Sequence, residues 1–247
     1  MAKYAFWTRR RFTGITLIVG CFLFLGAAGL IPRDTQGNFL VNLPLREQLL
    51  VIAAQTPLFQ WSLSLFISGL IVTLLGLALL TTLFRDVGDR TFSSVALIAF
   101  LFGDVLMVIY LAFPLGVEPL AAQETVRTGV VPDFYVQLTL WTQPLFVIYT
   151  LLAFSALAAY GGAILSTRVL PRWMGWLALV YALAGLVLAG FIAGNVPPFL
   201  HHLMPILIGV LLLLRRGQVP SEQDEQPRHA SSVKSGHTSG QNRDSAS

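Results

Sequence analysis

One ionisable residue, Asp104, stands deep inside an apolar stretch, about halfway along positions 92–113. A lone carboxylate in hydrocarbon is costly, so it must face a partner, water or the interior of a helix bundle. In chemical terms such a group is a proton or cation site. The competing reading is a neutral or hydrogen-bonded carboxyl that holds helices together. No Lys or Arg lies at the same depth, which favours a protonated carboxyl or one bonded to hydroxyls and amides.

A second set of polar residues falls near the other ends of apolar runs: Gln60, Gln143 before Pro144, Asn195, and the adjacent pair His201 and His202. Together with Glu118 they could line an outward-facing pocket, where Pro144 and Pro205 would leave backbone carbonyls free. The plainer and favoured reading is interfacial polarity. Haem fits poorly, because adjacent histidines on a helix point about 100° apart. Zinc would need a third ligand beyond His201 and His202. His229 and His237 are scattered through a polar tail, and Cys21 is a lone thiol, so no metal cluster, disulfide or cofactor is expected. The zinc-protease, phosphate-loop and Gly-x-Ser-x-Gly patterns are absent.

The elements that must position these residues follow from composition. Of 247 residues, 55% are hydrophobic and 11% charged, against about 25% charged in a soluble domain. Lipid must therefore be the solvent for most of the chain. Six apolar stretches stand out: 14–31, 58–84, 92–113, 135–165, 173–193 and 198–214. They are too long and continuous for barrel strands, and a helix of roughly 20 residues crosses the hydrocarbon. The first is expected to stop at Pro32, the third at Pro114 and the sixth at Arg215 and Arg216.

Charge gives direction. Lys3, Arg9, Arg10, Arg11, Arg85, Arg90, Arg168, Arg172, Arg215 and Arg216 fall on one side, and Arg33, Arg46 and Arg127 on the other. The richer side is cytoplasmic by the positive-inside rule. Trp7, Trp173 and Trp176 mark the inner interface and Trp61 and Trp141 the outer one. Because the basic residues sit at run ends, the net charge of +4 does not indicate nucleic acid. The expected fold is all-α: a polytopic six-helix transmembrane bundle of the plasma (inner) membrane over 14–216. A basic cytoplasmic flank, 1–13, precedes it. A polar, disordered cytoplasmic tail, 217–247, follows.

The loops carry further expectations. Within 32–57, residues 45–54 mix charged and apolar side chains and predict a short interfacial helix. In 114–133, Glu124 and Arg127 are three apart and can pair on one helical face. The short link 194–197 forces the last two spans to pack antiparallel. Small residues such as Gly20, Gly69, Gly76 and Gly185 suit close helix approach. Thr8 to Phe12 looks like a twin-arginine signal and Ile18 to Cys21 like a lipoprotein box. The apolar run continues past Cys21, so both are read as flank and first span.

Two stretches, Arg10-Arg11-Phe12-Thr13-Gly14-Ile15 and Pro171-Arg172-Trp173-Met174-Gly175-Trp176, resemble a bacterial family of uncharacterised multi-span membrane proteins. Met174 departs from the leucine usual there. The resemblance implies a plasma membrane protein of actinobacterial or cyanobacterial type with about six helices, and it brings no activity or catalytic residues.

Three functions remain open. The first is a non-catalytic membrane protein that acts by binding or by assembly with a membrane partner or second copy. The second is a small proton-linked transporter using Asp104. The third is an outer-face enzyme using His201, His202 and Glu118.

Overall fold

In the computed structural model the described residues form seven α-helices, six from the apolar runs and one from 45–54: α1 (Ala2–Gly29), α2 (Leu45–Ala54), α3 (Thr56–Asp86), α4 (Phe92–Thr128), α5 (Asp133–Thr167), α6 (Arg172–Phe191) and α7 (Leu200–Leu214). The structure describes residues 2–167, 169–191, 196–197 and 199–214, with backbone alone for 2–6. Among these residues there is no strand, only an isolated bridge between Arg33 and Phe39. The expected tail, 217–247, and Asn195 lie outside the described residues.

Five helices, α1, α3, α4, α5 and α6, are long and apolar enough to cross a membrane. The sixth expected span corresponds to α7, whose 15 described residues rise about 22 Å at 1.5 Å each. Outward-facing side chains are large and apolar, with Phe22, Phe102 and Trp176 each 62% exposed and Phe191 85%. Contiguous apolar surface on this scale suits lipid rather than water.

Two expected boundaries moved. Pro114 does not end its helix: α4 runs through Pro114 and Pro119 to Thr128. A proline removes one backbone hydrogen bond, but the neighbouring bonds persist where adjacent helices hold the chain. The helix stops instead at Gly129, whose φ of 76° is the left-handed conformation that glycine adopts without strain, and whose N–H reaches Thr125 O at 2.9 Å. At the other end of the chain, α1 already begins at Ala2, so the basic flank is helical. The short helix expected over 45–54 is present.

Helix α1 packs on α3 and α7, α4 on α3 and α5, and α5 on α6 and α7. The closest approaches use glycine. A Cβ at Gly20 would lie 2.5 Å from Thr73 N, and one at Gly161 would lie 2.9 Å from Gly175 O. Neither site admits a side chain without movement. Gly69 and Gly76 also lie at the α1–α3 crossing, whereas Gly26 and Gly190 face open space.

Polar contacts brace the ends. The Asp89 carboxylate accepts from Phe92 N–H at 3.2 Å and Ser93 N–H at 2.8 Å, capping α4. Arg9 pairs with Asp86 at 3.5 Å, and the Arg11 guanidinium lies 3.3 Å from the Trp7 ring centre. Helix α2 rests on α4 with Leu49 and Ile52 buried. Arg46 Nε donates to Gly129 O at 3.1 Å, tying α2 to the α4–α5 turn. The Glu124–Arg127 pair forms, with Nε···Oε2 at 3.0 Å and Nη2···Oε1 at 2.6 Å. In the loop after α1, Asp34 accepts from Asn38 Nδ2 at 2.8 Å and from the backbone N–H groups of Gln36 and Asn38. The Asn38 side-chain bond, foremost among these, holds the Asp34 carboxyl below its ordinary value.

Candidate functional site

Asp104 belongs to the buried face of α4. Phe100, Gly103, Asp104, Met107 and Leu111 recur at helical spacing and are all buried. The carboxyl is 4% exposed. Among the described residues neither of its oxygens has a hydrogen-bond partner, and the same holds for the buried Tyr149 hydroxyl and Thr150 Oγ1 on α5. Buried polar groups are usually bonded, so each exception calls for an explanation.

The contrast one level away is informative. Tyr160, also on α5, shares a 3.0 Å hydrogen bond with Thr81 Oγ1 and donates to Leu77 O at 3.2 Å. That hydroxyl is fully accounted for as an α3–α5 fastening. Among the described residues the Tyr149 hydroxyl has no such partner.

Tyr149 is the residue at which several helices meet. Its Cδ2 lies 3.5 Å from the Cβ position of Gly103, the neighbour of Asp104. On α1, the Cys21 sulfur is 3.8 Å from Thr73 Oγ1 of α3. On α7, His201 lies 5.0 Å from Tyr149 and 4.7 Å from Phe154, centroid to centroid. His202 turns away and stacks on Phe24 at 3.8 Å with planes 17° apart.

The residues expected at an outer pocket therefore occupy different surroundings. His201 and His202 are fully buried, whereas Gln60 and Gln143 are exposed. Glu118 is half-buried and accepts a 2.9 Å hydrogen bond from Tyr135 OH. A groove of about 590 Å³ near the α4–α5 turn is lined by Leu120, Gln123, Glu124, Arg127, Pro132 and Phe134, and involves none of the expected pocket residues. Among the described residues no group of three His, Cys, Asp or Glu side chains is placed to hold a metal ion.

Asp104 and His201 were considered separately on sequence grounds; the fold links them through Tyr149. Tyr149 itself was missed. Its one sequence signal is position, since tyrosine in lipid prefers the interface and Tyr149 sits in the interior of α5. No protein-family model matches the chain, and neither a curated protein nor a solved structure does.

Proposed function

We propose that this chain is a non-catalytic integral protein of the plasma membrane. It crosses six times with both termini cytoplasmic, and it binds a proton at Asp104 in the bundle interior, linked to passage of a small solute. The six-span count rests on the five long apolar helices together with α7, and the orientation rests on the distribution of Lys and Arg. The polar segment 217–247 is then a cytoplasmic tail.

The observation that carries the reading is the pair of unpartnered Asp104 oxygens. A carboxyl kept to fasten helices would be bonded, as Tyr160 is to Thr81. An unbonded buried polar group destabilises a fold by about 1–3 kcal/mol. A site that carries such a penalty, beside a second unpartnered hydroxyl on Tyr149, is suited to a guest that comes and goes. A proton is the smallest guest a carboxylate takes.

A hydrophobic carbodiimide tests this, because it adds to a protonated carboxyl from the lipid phase. In proteoliposomes, labelling mapped by mass spectrometry should fall on Asp104, faster at pH 5 than at pH 9, and vanish in Asp104→Asn. Asp104 unlabelled throughout that range would overturn proton binding. It would return the chain to a role in assembly, for which Asp104→Asn should be nearly silent.

A further inference from the structure

We infer that the solute exchanged at Asp104 is an organic cation with an apolar body, a lipophilic amine or quaternary onium ion, which competes with the proton for the same carboxylate. The inference rests on Asp104 being the proton site.

Charge comes first. No Lys or Arg occurs in 12–32, 47–84, 91–126, 128–167 or 173–214, so none stands midway along a helix as Asp104 does; the buried Arg10 lies near the end of α1 and donates to Leu211 O. An ionised carboxylate there is satisfied by an incoming positive charge or by a proton, and by only one of them at a time. An anionic or neutral polar solute leaves that charge unmet. A metal ion lacks its ligands, since no three-residue donor group exists among the described residues.

The surroundings favour a cation with apolar bulk. On α4, Phe100 and Met107 flank Asp104 one turn either side and are buried on its face. Across the interface stands the Tyr149 ring, with Phe146 next to it at 6.1 Å. Aromatic faces attract cations through the ring quadrupole, most strongly where water is excluded. Methionine adapts to varied apolar shapes. The unpartnered Tyr149 hydroxyl and Asp104 oxygens add acceptors for an ammonium N–H.

A Cβ added at Gly103 would meet its neighbours at 3.4–3.6 Å, an ordinary contact distance. At Gly20 and Gly161 the corresponding distances are 2.5 and 2.9 Å. At Gly103 the α4–α5 contact is of ordinary closeness, without the tighter approach found at Gly20 and Gly161.

The titratable groups around this region are Tyr149 and Tyr160 on α5, Cys21 on α1, and His201 and His202 on α7. Histidine ordinarily changes charge between about pH 5 and 8, so His201→Gln separates that ring's contribution from that of Asp104.

The test uses tetraphenylphosphonium, a permanent cation, and tetraphenylborate, an anion of the same shape. In proteoliposomes of the full chain, saturating tetraphenylphosphonium should slow carbodiimide labelling of Asp104 at least about tenfold. For one proton displaced per cation, the concentration needed should rise by about tenfold per pH unit on the acid side. Tetraphenylborate should not protect, and His201→Gln should retain the pH dependence. Equal protection by the anion would overturn the inference. So would loss of the pH dependence in His201→Gln, or labelling that the cation leaves unchanged. In the last case Asp104 remains a proton site without this solute, whereas an absence of labelling before any cation is added would defeat the proton site itself.

Discussion

Tyr149 and His201 face each other across the α5–α7 contact, ring centroids 5.0 Å apart and planes inclined by 55°. The same tyrosine packs against Gly103 on α4, the chain neighbour of Asp104. One side chain therefore joins the carboxyl level of α4 to the first turn of α7.

Removing only the Tyr149 hydroxyl should separate fold from function. That oxygen has no partner, so Tyr149→Phe relieves a desolvation penalty of about 1–3 kcal/mol rather than breaking a bond. Thermal unfolding in detergent should be unchanged or shifted upward. Carbodiimide labelling of Asp104 should nevertheless change its pH profile. A variant clearly less stable than wild type would show that the hydroxyl has a structural partner.

Two glycines in one helix give a packing test. Gly20→Ala places a methyl against the Thr73 backbone and should destabilise the α1–α3 contact by about 1–3 kcal/mol. Gly26→Ala meets nothing within 4 Å and should stay within about 1 kcal/mol of wild type. Chemical unfolding in mixed micelles compares them directly, and equal effects would contradict the crossing described here.

The Tyr160–Thr81 fastening is measurable by a double-mutant cycle. Tyr160→Phe, Thr81→Val and the double variant should give a coupling energy of about 0.6 kcal/mol, the usual value for hydrogen bonds between membrane helices, and below about 2. A coupling of zero would mean that each hydroxyl is satisfied by Leu77 O alone.

The Asp34 loop carries a pH dependence of known sign. Hydrogen bonds from Asn38 and its neighbours lower the folded carboxyl below its unfolded value. The loop's ordering is therefore complete above the ordinary carboxylate range and is lost as pH falls through the lowered folded value. Amide exchange at Asn38 should accelerate relative to other loop amides only on strong acidification, and Asp34→Asn should remove that dependence.

Much of this arrangement was readable before any coordinates. The apolar runs announced the helices, residues 45–54 announced α2, and Asp104 stood out because lipid tolerates few carboxylates. Pro114 misled, because a proline is a stop signal only where nothing else holds the helix together, and α2 and α5 both pack on α4. His201 and His202 read as wet because they open a helix. In the fold Phe24, Tyr149 and Phe154 cover them. Asp89 was overlooked because a capping role depends on where the next helix begins. Tyr149 was invisible for a deeper reason. Its significance lies in the Gly103 backbone of α4 and the His201 ring of α7 that lie against it, and no periodicity within α5 encodes that.

Helix α4 has 37 residues, about 55 Å at 1.5 Å per residue, nearly twice the thickness of the hydrocarbon layer. Asp104 and Thr128 are joined by a single rod, about 36 Å from one to the other. Pro114 and Pro119 interrupt its backbone hydrogen bonding, and Arg46 Nε holds Gly129 O just beyond its far end. The Arg46 clasp and the buried carboxyl thus belong to one continuous helix.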